Sequence, residues 1–382
     1  MTAGLSSPGA HGDGNDAPTV APAVRRAADN VEAGRLPVGS RLAEFEVTRI
    51  VGQGGFGVVY EAWDPTLERV VAIKEYLPTL LSARGLDGAV SPLSERHRET
   101  FDLGMRGFVN EARLLAQFDH PSLLKVYRSW QERGTTYMVM PFYRGRTLRQ
   151  VLAESPGGAD EAWLLRVTDG VTQALAVMHE ARCYHRDIAP DNIIVLENSG
   201  RPVVLDFGAA RRVIGDRTQT ITVILKPGYA PIEQYADMPH MAQGAWTDVY
   251  ALAAVMHVAV CGQAPPPSVA RLLSDAYVPL ASREALGRRY SARLLDAIDA
   301  GLALRPEARP QSMAELRERL GLKKAPPRRR PRAGPPARAP VAPAAGAGSA
   351  PAPGKAPIVA AAAGIALAAV ALAWWIVETW AR

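Results

Sequence analysis

YHRDIAPDNIIV, residues 184–195, decides how this chain is read. It sets a carboxylate, Asp187, ahead of an amide, Asn192, with the uncharged Ala189 between them. Fourteen residues after Asn192 stands Asp206-Phe207-Gly208. Upstream, Gly52-Gln53-Gly54-Gly55-Phe56-Gly57-Val58-Val59 precedes a strand-like VVAIK whose Lys74 lies seventeen residues after Gly57. Glycines let a backbone turn tightly, approach phosphates and offer them N–H donors. Alone, such a cluster also serves plain hairpins, and a lone lysine on a strand is usually a solvated face. Placed in this order, the lysine favours a phosphate-handling site.

The surroundings are those of an ordinary globular chain with unusual ends. Of 382 residues, 48% are hydrophobic and 21% charged, enough length for one large or two medium domains. The net charge of +6 owes much to one run, Lys323 to Arg332 (KKAPPRRRPR), so it is assigned to a tail and not to a nucleic-acid-binding fold. The two cysteines, Cys183 and Cys261, have no paired or metal-ligand spacing; a disulfide framework or a zinc site is not expected. The first residues are rich in Gly, Ala, Pro, Asp and Ser without an apolar core, so no signal peptide is expected.

Residues 1–40 read as a disordered leader. FEVTRIVGQGGFGVVYEAWD then alternates apolar and polar residues around the glycines, as two strands joined by a tight turn do; VVAIKEYL makes a third strand. FVNEARLLAQF (108–118) has helical spacing, LKVYRSW and TTYMVMPF read as strands, and after Thr147 the pattern turns mostly helical. The insert LPTLLSARGLDGAVSPLSERHRETFDLGMRG between Lys74 and Glu111 carries no assignable chemistry. Residues 322–355 are a Pro/Ala/Arg-rich linker, and 356–377 (APIVAAAAGIALAAVALAWWIV) contains no charge. As a helix those 22 residues would be roughly 33 Å long, enough to cross a bilayer core. Ten are alanines, which would also suit a buried helix; Trp374, Trp375 and Trp380 at one end favour a membrane interface. Residues 378–382 form a short external tail, and the basic linker is expected to lie against anionic lipid.

Together these motifs resemble the protein-kinase superfamily over roughly residues 43–320. The resemblance implies an α+β, bilobal protein-kinase fold in a domain spanning 41–321. An N-terminal antiparallel sheet lobe with helix C (41–140) joins a larger helical C-lobe (144–321), and a C-terminal transmembrane helix follows. It implies ATP held by Gly52, Gly54, Gly57, Val59, Lys74 and its partner Glu111, with adenine at Met140, Pro141 and Tyr143, where proline replaces the glutamate common in the family. Asp187 would accept the substrate hydroxyl proton; Asn192 and Asp206 would hold Mg2+ or Mn2+. Arg186 beside the base suggests a phosphorylated activation loop, with Thr218, Thr220 and Thr222 as candidate acceptors. Glu233 in GYAPIEQY would pair with Arg309, and Asp248 would pin the catalytic loop.

Ala189 departs from serine/threonine kinases, which mostly carry a lysine there. Tyrosine kinases share the alanine but compensate with an arginine where this chain has Asp191. HRDIAPDN together with KEYLP instead resembles membrane-anchored bacterial serine/threonine kinases, eukaryotic-like in their motifs. Lys226, seven residues before Glu233, is the candidate replacement cation. The expected activity is phosphoryl transfer from ATP to protein serine or threonine hydroxyls, with autophosphorylation. Expected partners are ATP, protein substrates and membrane lipid, without nucleic acid and with homodimerisation open. The expected location is the cytoplasmic (inner) membrane, single-pass, with the kinase domain in the cytosol. The alternatives are a pseudokinase that binds nucleotide or a partner without phosphoryl transfer, and a small-molecule phosphotransferase of the same fold.

Overall fold

The computed structural model describes residues 34–155, 157–206, 225–235 and 241–323, all within a unit that runs to Pro326. The expected leader up to residue 33, the linker from 324, the apolar segment 356–377 and its tail, Phe207, Gly208, and Thr218, Thr220 and Thr222 lie outside the described residues.

Strands β1 (Arg41–Leu42), β2 (Phe45–Gly54), β3 (Gly57–Asp64) and β4 (Arg69–Tyr76) follow one another, and a short hairpin, β5 (Ser82–Arg84) with β6 (Val90–Pro92), leads into helix α1 (Glu95–Leu115). Strands β7 (Arg128–Glu132) and β8 (Thr135–Pro141) complete an antiparallel sheet of order β1-β2-β3-β4-β8-β7. The alternation seen in the sequence is the alternation of faces: Val58, Tyr60 and Ala62 of β3 are buried while their neighbours are not.

Two expectations change here. The helix expected over 108–118 begins at Glu95 and ends at Leu115. Its first turns are charged and face solvent, which hides them in the sequence, yet Phe101, Phe108, Ala112 and Leu115 continue one buried stripe. The first half of the insert is the β5–β6 hairpin. It is tied to the sheet by Arg84, whose Nη2 donates to Glu75 (2.5 Å), while the Tyr60 hydroxyl donates to the other Glu75 oxygen (2.8 Å). The strand expected from Leu124 begins at Arg128. Leu124 N–H instead donates to Val204 O (2.9 Å), bonding the lower lobe.

After β8 the chain enters a second lobe through β9 (Gly145–Thr147), α2 (Leu148–Ala153) and α3 (Glu161–Glu180). Strands β10 (Ile193–Leu196) and β11 (Pro202–Val204) complete a small sheet of order β11-β10-β9. Thr147 and Gln150 form a capping box at α2. Helices α4 (Ala245–Cys261), α5 (Ser268–Leu273), α6 (Glu284–Gly287), α7 (Ala292–Gly301) and α8 (Met313–Arg319) follow. Helix α4 is buried on nearly every side and stops at Gly262, whose φ of +77° is the left-handed cap glycine permits. A sheet lobe over a helical lobe is the expected α+β architecture. Among the described residues no helix is long and apolar enough to cross a membrane; the segment expected to do so is not among them.

Candidate active site

Lys74 sits in the centre of the first sheet, across from Val59 of β3 and Met138 of β8. Its side chain points out of the sheet toward α1, where Nζ lies 3.3 Å from Glu111 Oε1 and 2.9 Å from Asp206 Oδ2. Burial works against the ammonium charge. The Asp206 and Glu111 carboxylates more than offset it, so the lysine pKa is raised above its ordinary value. Phe108, one helical turn before Glu111 on the same buried stripe, sets its ring 5.3 Å from Nζ. Sequence reading missed this residue, although its spacing from Glu111 was a usable signal.

Below Lys74 the loop carrying Asp187 is fastened from beneath. Asp248, fully buried in α4, accepts from the backbone N–H groups of His185 (2.8 Å) and Arg186 (2.7 Å) and meets His179 Nε2 at 2.7 Å. Burial alone would raise the Asp248 pKa, but these contacts hold it below the usual carboxylate range. They also hold Arg186 at φ +63°, a left-handed conformation costly for a side chain of that size. Farther out, Glu233 and Arg309 form the expected buried pair, at 2.7 and 3.2 Å. Gln234 Nε2 donates to Arg186 O at 2.8 Å, tying residues 225–235 back to the loop.

Asn192 Nδ2 donates to both Asp187 O and Asp187 Oδ2, each at 2.7 Å. With its nitrogen so used, Asn192 has Oδ1 left as an acceptor with no partner among the described residues. On the other carboxylate oxygen, Lys226 Nζ stands 3.6 Å from Asp187 Oδ1. Ala189 is fully buried and supplies no charge. Arg149 of α2 pairs with Asp191 through both guanidinium branches, an ion pair between residues 42 apart in sequence that no motif announced.

A cleft of about 240 Å³ collects most of the expected residues: Gly52 to Gly57, Val59, Lys74, Glu111, Asp187, Asn192 and Asp206, with Phe108. Three of the residues expected to bind nucleotide do not line it, and neither do Lys226 and Arg186. Met140 and Pro141 close β8 opposite Ala72 and Val71, and Tyr143 turns its hydroxyl to accept from Lys125 N–H at 3.3 Å. Their expected role rested on backbone groups. The glycines divide as well. A Cβ at Gly57 would come 2.3 Å from Glu75 O, so this glycine is required by the neighbouring strand; at Gly52 and Gly54 a Cβ would meet nothing within 4 Å.

For a divalent cation, Asp206 and Asn192 offer hard oxygen donors on one cleft wall, the kind Mg2+ or Mn2+ prefers. Among the described residues no group of three or more His, Cys, Asp or Glu could enclose a metal by itself. The donor set therefore fits an ion completed by phosphate and water, not an all-protein cage.

The comparisons agree with this geometry. A family model described as "Protein kinase domain" matches residues 45–318. The solved structure titled "PpkA-294 apo form" is 47% identical, with a TM-score of 0.70, covering 75% of this chain and 99% of that one. "DNA damage-responsive serine/threonine-protein kinase RqkA" of Deinococcus radiodurans is 30% identical over 302 residues, 74% of this chain and 40% of the relative. "Serine/threonine-protein kinase PknD" of Protochlamydia amoebophila is 29% identical over 206 residues, 51% of this chain and 19% of the relative. The chain thus spans less than half the length of these curated relatives.

Proposed function

The chain belongs to the protein kinase family, and from that premise we propose that it transfers the γ-phosphate of ATP to serine or threonine hydroxyls of proteins, itself included, at a cytoplasmic membrane. The observation that carries the proposal is the position of Lys74. Its ammonium lies between Glu111 and Asp206, in the same cleft as Asp187 and Asn192. A phosphate chain entering under Gly52 and Gly54 meets backbone N–H donors above and the Lys74 charge below. Glu111 keeps that charge in place. Asp187, oriented by the Asn192 amide, accepts the proton of the attacking hydroxyl. Held by Asp206 and Asn192, Mg2+ or Mn2+ would neutralise charge that builds on the transferring phosphoryl group. Lys226 supplies the cation that Ala189 lacks; its 3.6 Å approach to Asp187 supports this role.

Autophosphorylation at Thr218, Thr220 or Thr222 is the proposed activation step. It is supported by Arg186, whose Nε is buried with no hydrogen-bond partner among the described residues and suits a phosphate. The membrane anchor is supported by sequence alone: the uncharged stretch 356–377, its tryptophans and the basic run Lys323 to Arg332, which anionic headgroups would attract. Because ATP is cytosolic, the catalytic domain would face the cytosol.

Radiolabelled ATP and Mg2+ given to the full chain, with casein as acceptor, test the activity. Incorporation that disappears with Asp187→Asn is expected; equal incorporation by wild type and Asp187→Asn would overturn the assignment. Mass spectrometry of the product locates the threonines.

A further inference from the structure

Asp191 lies one residue before Asn192, and it is already occupied. Arg149 donates to both of its oxygens, from Nε and, at 2.6 Å, from Nη2. Nη1 makes no hydrogen bond to any described residue. The side chains are half-exposed, 59% for Arg149 and 39% for Asp191, so solvent and ligands reach them. The Arg149 hydrogen bond, and beyond it the charge of Lys226, hold the Asp191 pKa below the usual carboxylate range. Lys226 in turn approaches Asp187. A row of alternating charge therefore runs from α2 to the catalytic carboxylate: Arg149, Asp191, Lys226, Asp187.

Beside this row opens a second cleft, of about 500 Å³, lined among others by Arg149, Leu152, Pro190, Tyr229, Val258 and Gln263. It shares no lining residue with the nucleotide cleft. Pro190 is three residues past Asp187, and Tyr229 N–H donates to Lys226 O at 3.0 Å, so this cleft lies near the catalytic base. A polypeptide that presents its hydroxyl to Asp187 must lay its flanking residues along such a surface. Among the described residues, Arg149 is the one charged side chain in the lining. The carboxylate of Asp191 is spent on Arg149. An arginine or lysine on the peptide would meet a like charge and would have to displace a bidentate pair. A glutamate or aspartate would meet the unused Nη1 donor.

We propose that Arg149 sets acceptor choice, so that the enzyme selects serine or threonine flanked by carboxylate side chains and discriminates against basic flanks. This rests on the protein-kinase function proposed above and specifies its substrate class.

The test uses the full-length protein and three peptides identical except for flanking Glu, Ala or Arg around one serine. Phosphorylation kcat/KM is measured, and binding is read separately by fluorescence anisotropy in the presence of a non-hydrolysable ATP analogue. Wild type is expected to favour Glu over Ala over Arg, by about two- to fivefold per step for a half-exposed charge. Arg149→Ala removes the attraction and uncovers Asp191, and the order should invert to Arg over Ala over Glu. Adding Asp191→Asn should flatten it, while Arg149→Lys, which keeps the charge, should retain the Glu preference. A wild type that favours the Arg peptide, or an order unchanged by Arg149→Ala, would overturn the proposal. If the anisotropy order holds while no peptide is phosphorylated, the docking surface for acidic peptides stands and phosphoryl transfer is what fails.

Discussion

Lys226 carries the heaviest load in the proposed chemistry, because the catalytic loop offers no cation of its own at Ala189. If it stabilises the transferring phosphoryl group, Lys226→Ala should lower kcat by about 10²–10³-fold, while KM for ATP changes far less. Steady-state kinetics separate the two parameters, and an unchanged kcat would exclude the role. Gly57 makes a different prediction, about folding. Its missing Cβ leaves room for Glu75 O, so Gly57→Ala should cost about 1–3 kcal/mol in denaturant unfolding. Gly54→Ala meets open space and should leave the unfolding midpoint in place. Lys74, Glu111, Asp187, Asn192 and Asp206 were legible because motif spacing fixes them along the chain. Even Lys226, chosen by counting back from Glu233, stands beside Asp187. Arg149 was not legible: its partner is 42 residues away, and only the packing of α2 against the catalytic turn brings them together.

Among the elements, the strands around the glycine loop could be read from alternation, and the register confirms Lys74 at the sheet centre. Helix α1 was read too short, since charged residues on its solvent face mask a stripe that only burial reveals. The β5–β6 hairpin had no sequence signature beyond its glycines, and what holds it is the fully buried Glu75 and the nearly buried Arg84. Arg84→Ala would strand that carboxylate, and chemical denaturation should show a loss of about 3–5 kcal/mol. The anchoring of the catalytic loop by α4 is pH-dependent in a definite direction. The Asp248 pKa is lower in the folded chain than in the unfolded one. Its stabilisation is therefore full above about pH 4 and is lost as pH falls through the folded value. Thermal melts should show wild type well above Asp248→Asn at pH 7, with the gap closing in acid; a gap that widens in acid would contradict the anchoring account.

For the molecule as a whole, two lobes face one another across a cleft whose walls carry opposite duties. The sheet lobe supplies glycine N–H groups and Lys74, and the helical lobe supplies carboxylates, an amide and Lys226. That division was readable from segment order, strand-rich first and helix-rich second. The proposed anchor belongs to this scale too. The full chain should sediment with membranes and resist high-salt washing, whereas deletion of 356–377 should release it; a full chain that stays in the supernatant would refute the anchor. Single-turnover transfer from labelled ATP probes the chemistry of this cleft without intervening steps. With Mg2+, wild type should label itself or casein, and Asp206→Ala should abolish labelling while weakening nucleotide binding. No transfer by wild type, together with equal nucleotide affinity in Asp206→Ala, would contradict the account.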